Sequence, residues 1–366
     1  MAIKETIWHP EPHTQAKHEI LKRYLQAWFP IMSTVSGRIV YIDGFAGPGK
    51  YLDENYRPTI DGSPLVAINS ARKHKLKLNA EIVFLFIEDR HDRCEYLKGL
   101  LKSLTLPKNM RYEVKESKFD ETLSSLLDYL DEQKKKLAPA FVFIDPFGYS
   151  GTPFSLVKRI MENRKCEVLI TFTQRSIIEW GAAKSDQYQH LDLLFGTAEW
   201  REMLEIDTPS DKKEFIQQLY KKQLEKEAKI KYVRFFEMIN KFNQTEYFLF
   251  FGTNNLKGLK CMNSSMWKID PSGTFQFSDR TNPNQTVLFT TDYNYDLLKK
   301  LMLREFKDKT VSIEKVDEFV VTAGFTHFKK NILEPIERAK PAQIEVIKSN
   351  RKRRYTYPSG TIIKFF

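Results

Sequence analysis

The chain has 366 residues, which at roughly 150 per domain predicts two or three folding units, and its 42% hydrophobic and 29% charged content excludes a disordered or collagen-like polymer. Its longest apolar runs, Ile82–Ile87 and Tyr247–Phe251, fall far short of the ~20 residues of a membrane-spanning helix. The formal charge of +11 favours an anionic partner and is unevenly spread, with 16 Lys/Arg against 9 Asp/Glu in the last 71 residues.

The N-terminal stretch MAIKETIWHPEPHTQAKHE lacks the apolar core of a secretory leader. Three scattered cysteines, Cys94, Cys166 and Cys261, read as free thiols. Together they predict a cytoplasmic protein with no membrane partner.

In chain order, His18–Phe29 carries an apolar stripe at helical spacing (Ile20, Leu21, Tyr24, Leu25, Trp28) that Pro30 is expected to stop. A strand over Arg38–Asp43 follows. Gly62-Ser63-Pro64 predicts a helix start with Ser63 as N-cap and Pro64 at the first helical position. Strands are expected at 82–88, 111–116, 141–145, 167–172 and 246–252, with helices near 92–103, 120–136 and 154–163 between them. Strands rich in Val, Ile and Phe, spaced by helices, predict a parallel sheet covered on both faces. The rhythm breaks over about 174–245, a helical insertion with a cap signal at Thr208-Pro209-Ser210-Asp211. Insertions between late strands of such a sheet lie near the strand ends where ligands bind, so a substrate-facing cap is expected there. From about Asp296, helices over 296–307, 312–322 and 327–338 precede strands at 343–349 and 361–366, which predicts a winged helix.

The strongest local signal is Val40-Tyr41-Ile42-Asp43-Gly44-Phe45-Ala46-Gly47-Pro48-Gly49-Lys50, a strand that ends in an acid and enters a glycine-rich turn. Two chemistries use such a turn. One cradles S-adenosylmethionine (SAM); the other is a P-loop, for which Gly44-x-x-x-x-Gly49-Lys50 has the spacing and Phe141–Asp145 resembles a Walker B strand. The P-loop needs Ser or Thr after the lysine and a helix starting at once, whereas Tyr51 stands there and the helix waits until Ser63. Glu88 closes the second strand, where an acid accepts the ribose hydroxyls of an adenosine. Asp145-Pro146-Phe147-Gly148-Tyr149 closes the fourth. In a sheet that starts in the middle, strands one and four are neighbours, so Asp43 and Asp145 are expected to face each other. Asp145 and Pro146 would orient an acceptor on which Phe147 or Tyr149 stacks.

Lys17-His18 with Tyr24 and Trp28, Tyr41–Tyr51, Gly62-Ser63-Pro64, Phe141–Tyr149, Gly258–Asp270 and the Tyr355–Phe366 tail together resemble the three-Cys-motif partner (TcmP) family of the class I SAM-dependent methyltransferase superfamily. The resemblance implies SAM as cofactor, Lys17 and His18 near it, a winged-helix tail, and a separate cysteine-rich partner protein. Three departures stand out. Phe147 occupies the place of the second proline in the Asp/Asn-Pro-Pro-aromatic motif of amino-methyltransferases, and no cysteine follows a proline as cytosine-C5 enzymes require. After the third strand, Phe119 or Asp120 stands where an adenine-facing Asp or Asn is usual.

The expected fold class is therefore α/β: a doubly wound, mostly parallel Rossmann-like methyltransferase domain over 1–295, with the insertion, then a winged-helix domain over 296–366. The expected function is SAM-dependent methyl transfer to a nucleic-acid base or a bound partner. Catalytic candidates are Asp145, Pro146, Phe147 and Tyr149. Cofactor candidates are Lys17, Asp43, Gly44, Phe45, Gly47, Gly49, Ser63, Glu88 and Phe119. The alternative is a catalytically silent SAM-binding module, and a P-loop-like hydrolase stands below both. Arg351, Lys352, Arg353 and Arg354, in a run where a wing would turn, are candidates for nucleic-acid binding. No metal site is expected, since His9, His13 and His18 lack ligand spacing. Met262–Trp267 either lines a substrate pocket or simply packs.

Overall fold

A computed structural model describes residues 5–148, 150–181 (180 and 181 by backbone alone), 187–280 and 295–366. The chain divides into two units, Met1–Asn255 with Gln276–Pro283, and Leu256–Phe275 with Asn284–Phe366. The expected boundary at 295/296 thus falls inside the second unit, which also takes the helix Leu256–Trp267.

In the first unit, helix α1 (Pro12–Val35) leads into strand β1 (Arg38–Asp43), helix α2 (Ser63–Arg72), β2 (Glu81–Glu88), α3 (His91–Lys102), β3 (Met110–Glu116), α4 (Phe119–Glu132), β4 (Ala140–Ile144), α5 (Phe154–Met161) and β5 (Glu167–Phe172). The insertion then supplies α6 (Tyr188–Phe195) and α7 (Pro209–Lys226) before β6 (Tyr232–Ile239) and β7 (Thr245–Thr253). With β8 (Gln276–Ser278) the sheet order is β3-β2-β1-β4-β5-β7-β6-β8. Strands β3 to β5 in that order are parallel, and β7 runs antiparallel to both its neighbours. This is the expected doubly wound, mostly parallel Rossmann-like architecture, and the order in which strands are added reverses between β1 and β4. The periodicity reading overlooked β6 and β8: Arg234 and Glu237 interrupt the apolar pattern of the one, and the other is three residues long.

Both faces of the sheet are packed. On one, rings from α1 meet rings from the strands, with Tyr24 at 5.2 Å from Phe141 and Phe29 at 5.9 Å from Phe84. Each such buried side chain is worth about 1.5–3 kcal/mol relative to exposure. The Glu167 carboxylate in this core accepts from Tyr24 Oη and from Thr253 Oγ1, both at 2.6 Å, so the buried acid ties α1 to β5 and β7. On the other face, Leu191, Phe195, Trp200, Ile216 and Tyr220 of the insertion join the core of β4, β5 and β7. Thr208 caps α7 as expected, accepting from Asp211 N.

Two local expectations are corrected. Pro30 does not end α1, which runs on to Val35 with Met32 still buried. A proline removes the hydrogen bond to the carbonyl four residues earlier; here Gln26 O accepts from His74 Nε2 at 3.1 Å instead. Ser63 is the first helical residue of α2 rather than its cap, which is Gly62.

The second unit comprises α8 (Leu256–Trp267), α9 (Tyr295–Phe306), β9 (Thr310–Ser312), α10 (Ile313–Thr322), a short turn of helix at Lys329–Leu333 leading into α11 (Glu334–Arg338), then β10 (Ile344–Lys348) and β11 (Ile362–Phe365). The three strands form an antiparallel sheet in the order β9-β11-β10. Met262 and Met266 are fully buried, and Trp267 belongs to this unit's core with its Nε1 donating to Gly324 O at 2.7 Å. Of the two readings of Met262–Trp267, the structure takes packing. No helix among the described residues is long and apolar enough to cross a membrane.

Candidate functional site

The carboxyl ends of β1, β2 and β4 carry Asp43, Glu88 and, one residue on, Asp145. A cleft of about 480 Å³ opens beside them, lined by Gly44, Phe45, Glu88, Phe119, Phe147 and, from the insertion, Leu193. That volume suits a ligand of nucleoside size. Gly44, Phe45, Glu88, Phe119 and Phe147, all picked from the sequence, thus share one cavity, and Asp120, the alternative to Phe119, lines it too. Lys17, Asp43, Gly47, Gly49, Ser63, Asp145 and Pro146 are not among its lining residues, and Tyr149 lies outside the described residues.

The glycine turn is held from within. Gly44 N donates to Phe143 O and Ala46 N to Ile87 O, at 2.9 and 2.8 Å. Gly47 N donates to Glu88 Oε2 at 2.8 Å, while Arg90 N donates to Glu88 Oε1 at 3.0 Å. Burial raises the Glu88 carboxyl above the usual range, and those two amides work against the rise. Gly44 has no room for a side chain, since a Cβ there would stand 2.5 Å from Phe119 Cδ2. Gly49 combines φ +79° with a Cβ position 2.7 Å from Leu97, so only glycine fits without strain. A P-loop offers its amides to phosphate. Here those of Gly44, Ala46 and Gly47 already have partners, and Lys50 Nζ is bound to Asp61 at 2.6 Å. The turn therefore lacks the donors of a phosphate cradle, and Glu88 would repel one.

Asp43 is fully buried, and burial pushes its carboxyl up to about 7 against the hydrogen bond from Ser63. The charge of Asp145 adds to that rise. Asp145 also has a cationic partner that the sequence reading did not assign to it. Lys17 Nζ lies 2.6 Å from each Asp145 oxygen, with the lysine side chain 6% and the aspartate 18% exposed. Lys17, assigned from the resemblance to the cofactor, is thus engaged by Asp145. Its ammonium also lies 5.0 Å from the Tyr247 ring centre. Beside it, burial and then the Lys17 charge lower the His18 imidazole to about 4, which keeps it neutral.

Phe147 is 57% exposed, so its ring is available at the mouth of the cleft. It packs edge-on against Trp8 at 5.8 Å, and the Arg93 guanidinium lies 4.5 Å from the Trp8 ring and 5.3 Å from that of Phe147. Trp8 and Arg93 escaped the sequence reading because neither sits in a motif. His190 and Leu193 were signalled only by the insertion's place between late strands. The N-terminal histidines go to separate partners: His9 meets the Tyr56 ring, His13 bonds Asp279, and His18 lies by Tyr51. Elsewhere His91, Glu95 and Glu116 bring ligand atoms within 4.8 Å of one another, but all three are exposed and Lys98 pairs with Glu95.

In the second unit the basic run separates. Arg351 Nη1 is bound to Glu337 at 2.9 and 3.2 Å, while Lys352, Arg353 and Arg354 are exposed.

No protein-family model and no curated protein matches the chain. Solved structures overlap it at low scores. Protein LPL1258 from Legionella pneumophila is 16% identical at a TM-score of 0.35, covering 66% of this chain and 85% of its own. Cofactor-bound Rv0187 from MTB is 9% identical at 0.32, over 64% and 80%. A provisionally assigned O-methyltransferase from Klebsiella pneumoniae is 8% identical at 0.33, over 67% and 91%. At such identities and scores these likenesses assign no chemistry to the chain.

Proposed function

We propose that the first unit binds SAM in the 480 Å³ cleft and transfers its methyl group to an acceptor held at Asp145. The observation that carries this reading is Glu88: a carboxylate anchored by two backbone amides, at a strand end beside the switch point, facing a cavity that also holds the Phe45 and Phe119 rings. An acid so placed accepts ribose hydroxyls, the rings take an adenine face, and the internally bonded turn disfavours a triphosphate. The donor set thus fits the cofactor. SAM, when bound, supplies an electrophilic methyl group; the chain's own part is to hold the nucleophile ~3–3.5 Å from it and in line.

Asp145 serves that end as an acceptor of hydrogen bonds from the incoming group, and Lys17 holds it in place. Phe147, exposed at the cleft mouth, offers a ring for stacking on a planar acceptor, which favours a nucleic-acid base. The three-strand, helix-rich second unit, read as a winged helix, would bring that nucleic acid or the cysteine-rich partner of the TcmP resemblance. A silent SAM-binding module differs from this only in lacking transfer.

Calorimetry tests the cofactor half. SAM should bind the wild-type protein and lose at least tenfold in affinity on Glu88→Gln, with no binding of magnesium-ATP. Tight ATP binding without SAM binding would overturn the reading.

A further inference from the structure

The loop between β10 and β11 is fixed at many points. Ser349 Oγ meets Thr361 Oγ1 at 2.9 Å, Thr356 Oγ1 donates to Arg353 O at 2.7 Å, and Ser359 Oγ and Gly360 N donate to Glu314 at 2.7 and 2.8 Å. At its centre stands Glu337 of α11. Its carboxylate, 12% exposed, receives Arg351 Nη1 and also Tyr357 Oη at 2.5 Å, and Lys329 Nζ donates to the Tyr357 carbonyl at 2.7 Å. The Arg338 guanidinium lies over the Tyr355 ring at 3.9 Å. Between these anchors Lys352, Arg353 and Arg354 point into solvent, and among the described residues none of the three makes an ion pair.

We propose that Glu337 is a clamp that pre-orders this loop as a duplex nucleic-acid-binding wing, with Arg351 a positioning residue and Lys352, Arg353 and Arg354 the phosphate contacts. Three adjacent like charges repel one another, and a flexible loop would let them spread. Here the loop is fastened on both sides of them, so their repulsion is held in the structure until an anion relieves it. Two of the three are arginines, whose planar forks match phosphate oxygens. A rigid loop loses less conformational entropy on binding than a mobile one. Arg351 bears the same charge, but its guanidinium faces Glu337, and together they present no net charge to a partner.

The inference rests on the nucleic-acid reading above for the class of partner, and the test keeps the two apart. The full-length protein is titrated with a fluorescently labelled duplex DNA of about 30 base pairs over a range of salt. Each phosphate contact contributes about −0.9 to the log–log salt slope. Replacing Lys352, Arg353 and Arg354 by alanine should make the slope shallower by up to about 2.7. Arg351→Ala should lower affinity several-fold and leave the slope unchanged. Glu337→Gln decides the sign: removing a negative charge strengthens binding if only net charge matters, whereas loss of the clamp weakens it. Tyr357→Phe, which removes one hydroxyl from the clamp, should weaken binding in the same direction by less, and it guards against a Glu337 variant that fails to fold. If Arg351→Ala flattens the slope by about 0.9, or Glu337→Gln tightens binding, the clamp is overturned while the nucleic-acid reading stands. If the wild-type protein does not bind duplex at low salt, the partner class is wrong, and an acidic protein takes its place.

Discussion

Two loops in this molecule are each fastened by a glutamate, to opposite effect. In the glycine turn of the first unit, Glu88 accepts from the backbone amides of Gly47 and Arg90. The clamp there takes up donors, and its own charge makes the site hostile to phosphate and hospitable to hydroxyls. In the second unit, Glu337 takes one arginine and one tyrosine hydroxyl, and three cations remain outside. One clamp sits in a buried strand end, where a charge must be satisfied; the other sits under an exposed loop, where charges need no partner within the fold. The same residue type therefore leaves a carboxylate at a buried pocket in one place and exposed cations around it in the other, and burial decides which.

The sharpest way to break the contrast is to remove the chemistry from one side only. Asp145→Asn keeps a shape that Lys17 can still bond but withdraws the charge from the acceptor. Methyl transfer from labelled SAM, offered with total nucleic acid and lysate as acceptors, should fall by about 10²–10⁴-fold. Cofactor affinity measured by calorimetry should stay within about twofold. Transfer at the wild-type rate would make Asp145 a turn residue.

Next in size is the pH dependence of Asp43. Its carboxyl is raised to about 7 in the folded chain, so between the ordinary value near 4 and pH 7 the folded state binds more protons than the unfolded one. Its contribution is thus fullest below pH 4 and is lost as pH rises through 7. Asp43→Asn removes that loss and should stabilise the protein at pH 8 by roughly 2–4 kcal/mol in urea unfolding. His18, lowered to about 4, acts in the other sense: its neutral form favours the fold above pH 6.5, and that advantage is lost as pH falls through 4. The variant should therefore show stability rising with pH over 4–6.5, where the two residues oppose each other in the wild type. A variant no more stable than wild type at pH 8 would mean that Asp43 is not held protonated near neutrality.

A smaller effect probes the packing of the turn. Gly44→Ala would put a methyl group 2.5 Å from the Phe119 ring. Overpacking of this kind costs about 1–3 kcal/mol, read in the same unfolding experiment. Because the displaced ring lines the cleft, SAM affinity should fall with it, whereas duplex binding by the second unit should not change. An alanine variant with wild-type stability would mean that Phe119 yields freely and does not define the cavity wall.

Much of this was legible in the chain. Apolar runs such as Ile82–Ile87, ending in an acid, are buried strands whose charged terminus lies at the strand end, so the strands and the acids at their carboxyl ends follow from local pattern. The alternation of such runs with helices sets the doubly wound sheet, and the residues from Ser349 to Gly360, poor in apolar side chains, mark a loop. What the pattern cannot hold is a partner far away in sequence. Lys17 meets Asp145 across 128 positions, and Gly47 meets Glu88 across 41. His74, 48 positions from Gln26, satisfies the carbonyl that Pro30 leaves open, which lets a helix pass its expected end. Ser63 opens α2 as its first residue, and Gly62 takes the cap position. In the basic run, four similar residues become one that is ion-paired and three that are exposed, because Glu337 lies beside Arg351. The sequence sets which side chains want burial, charge or a partner, since those are properties of the residues themselves; only the tertiary structure decides which partner each one finds, since hydrogen bonds and ion pairs depend on distances that the fold alone creates.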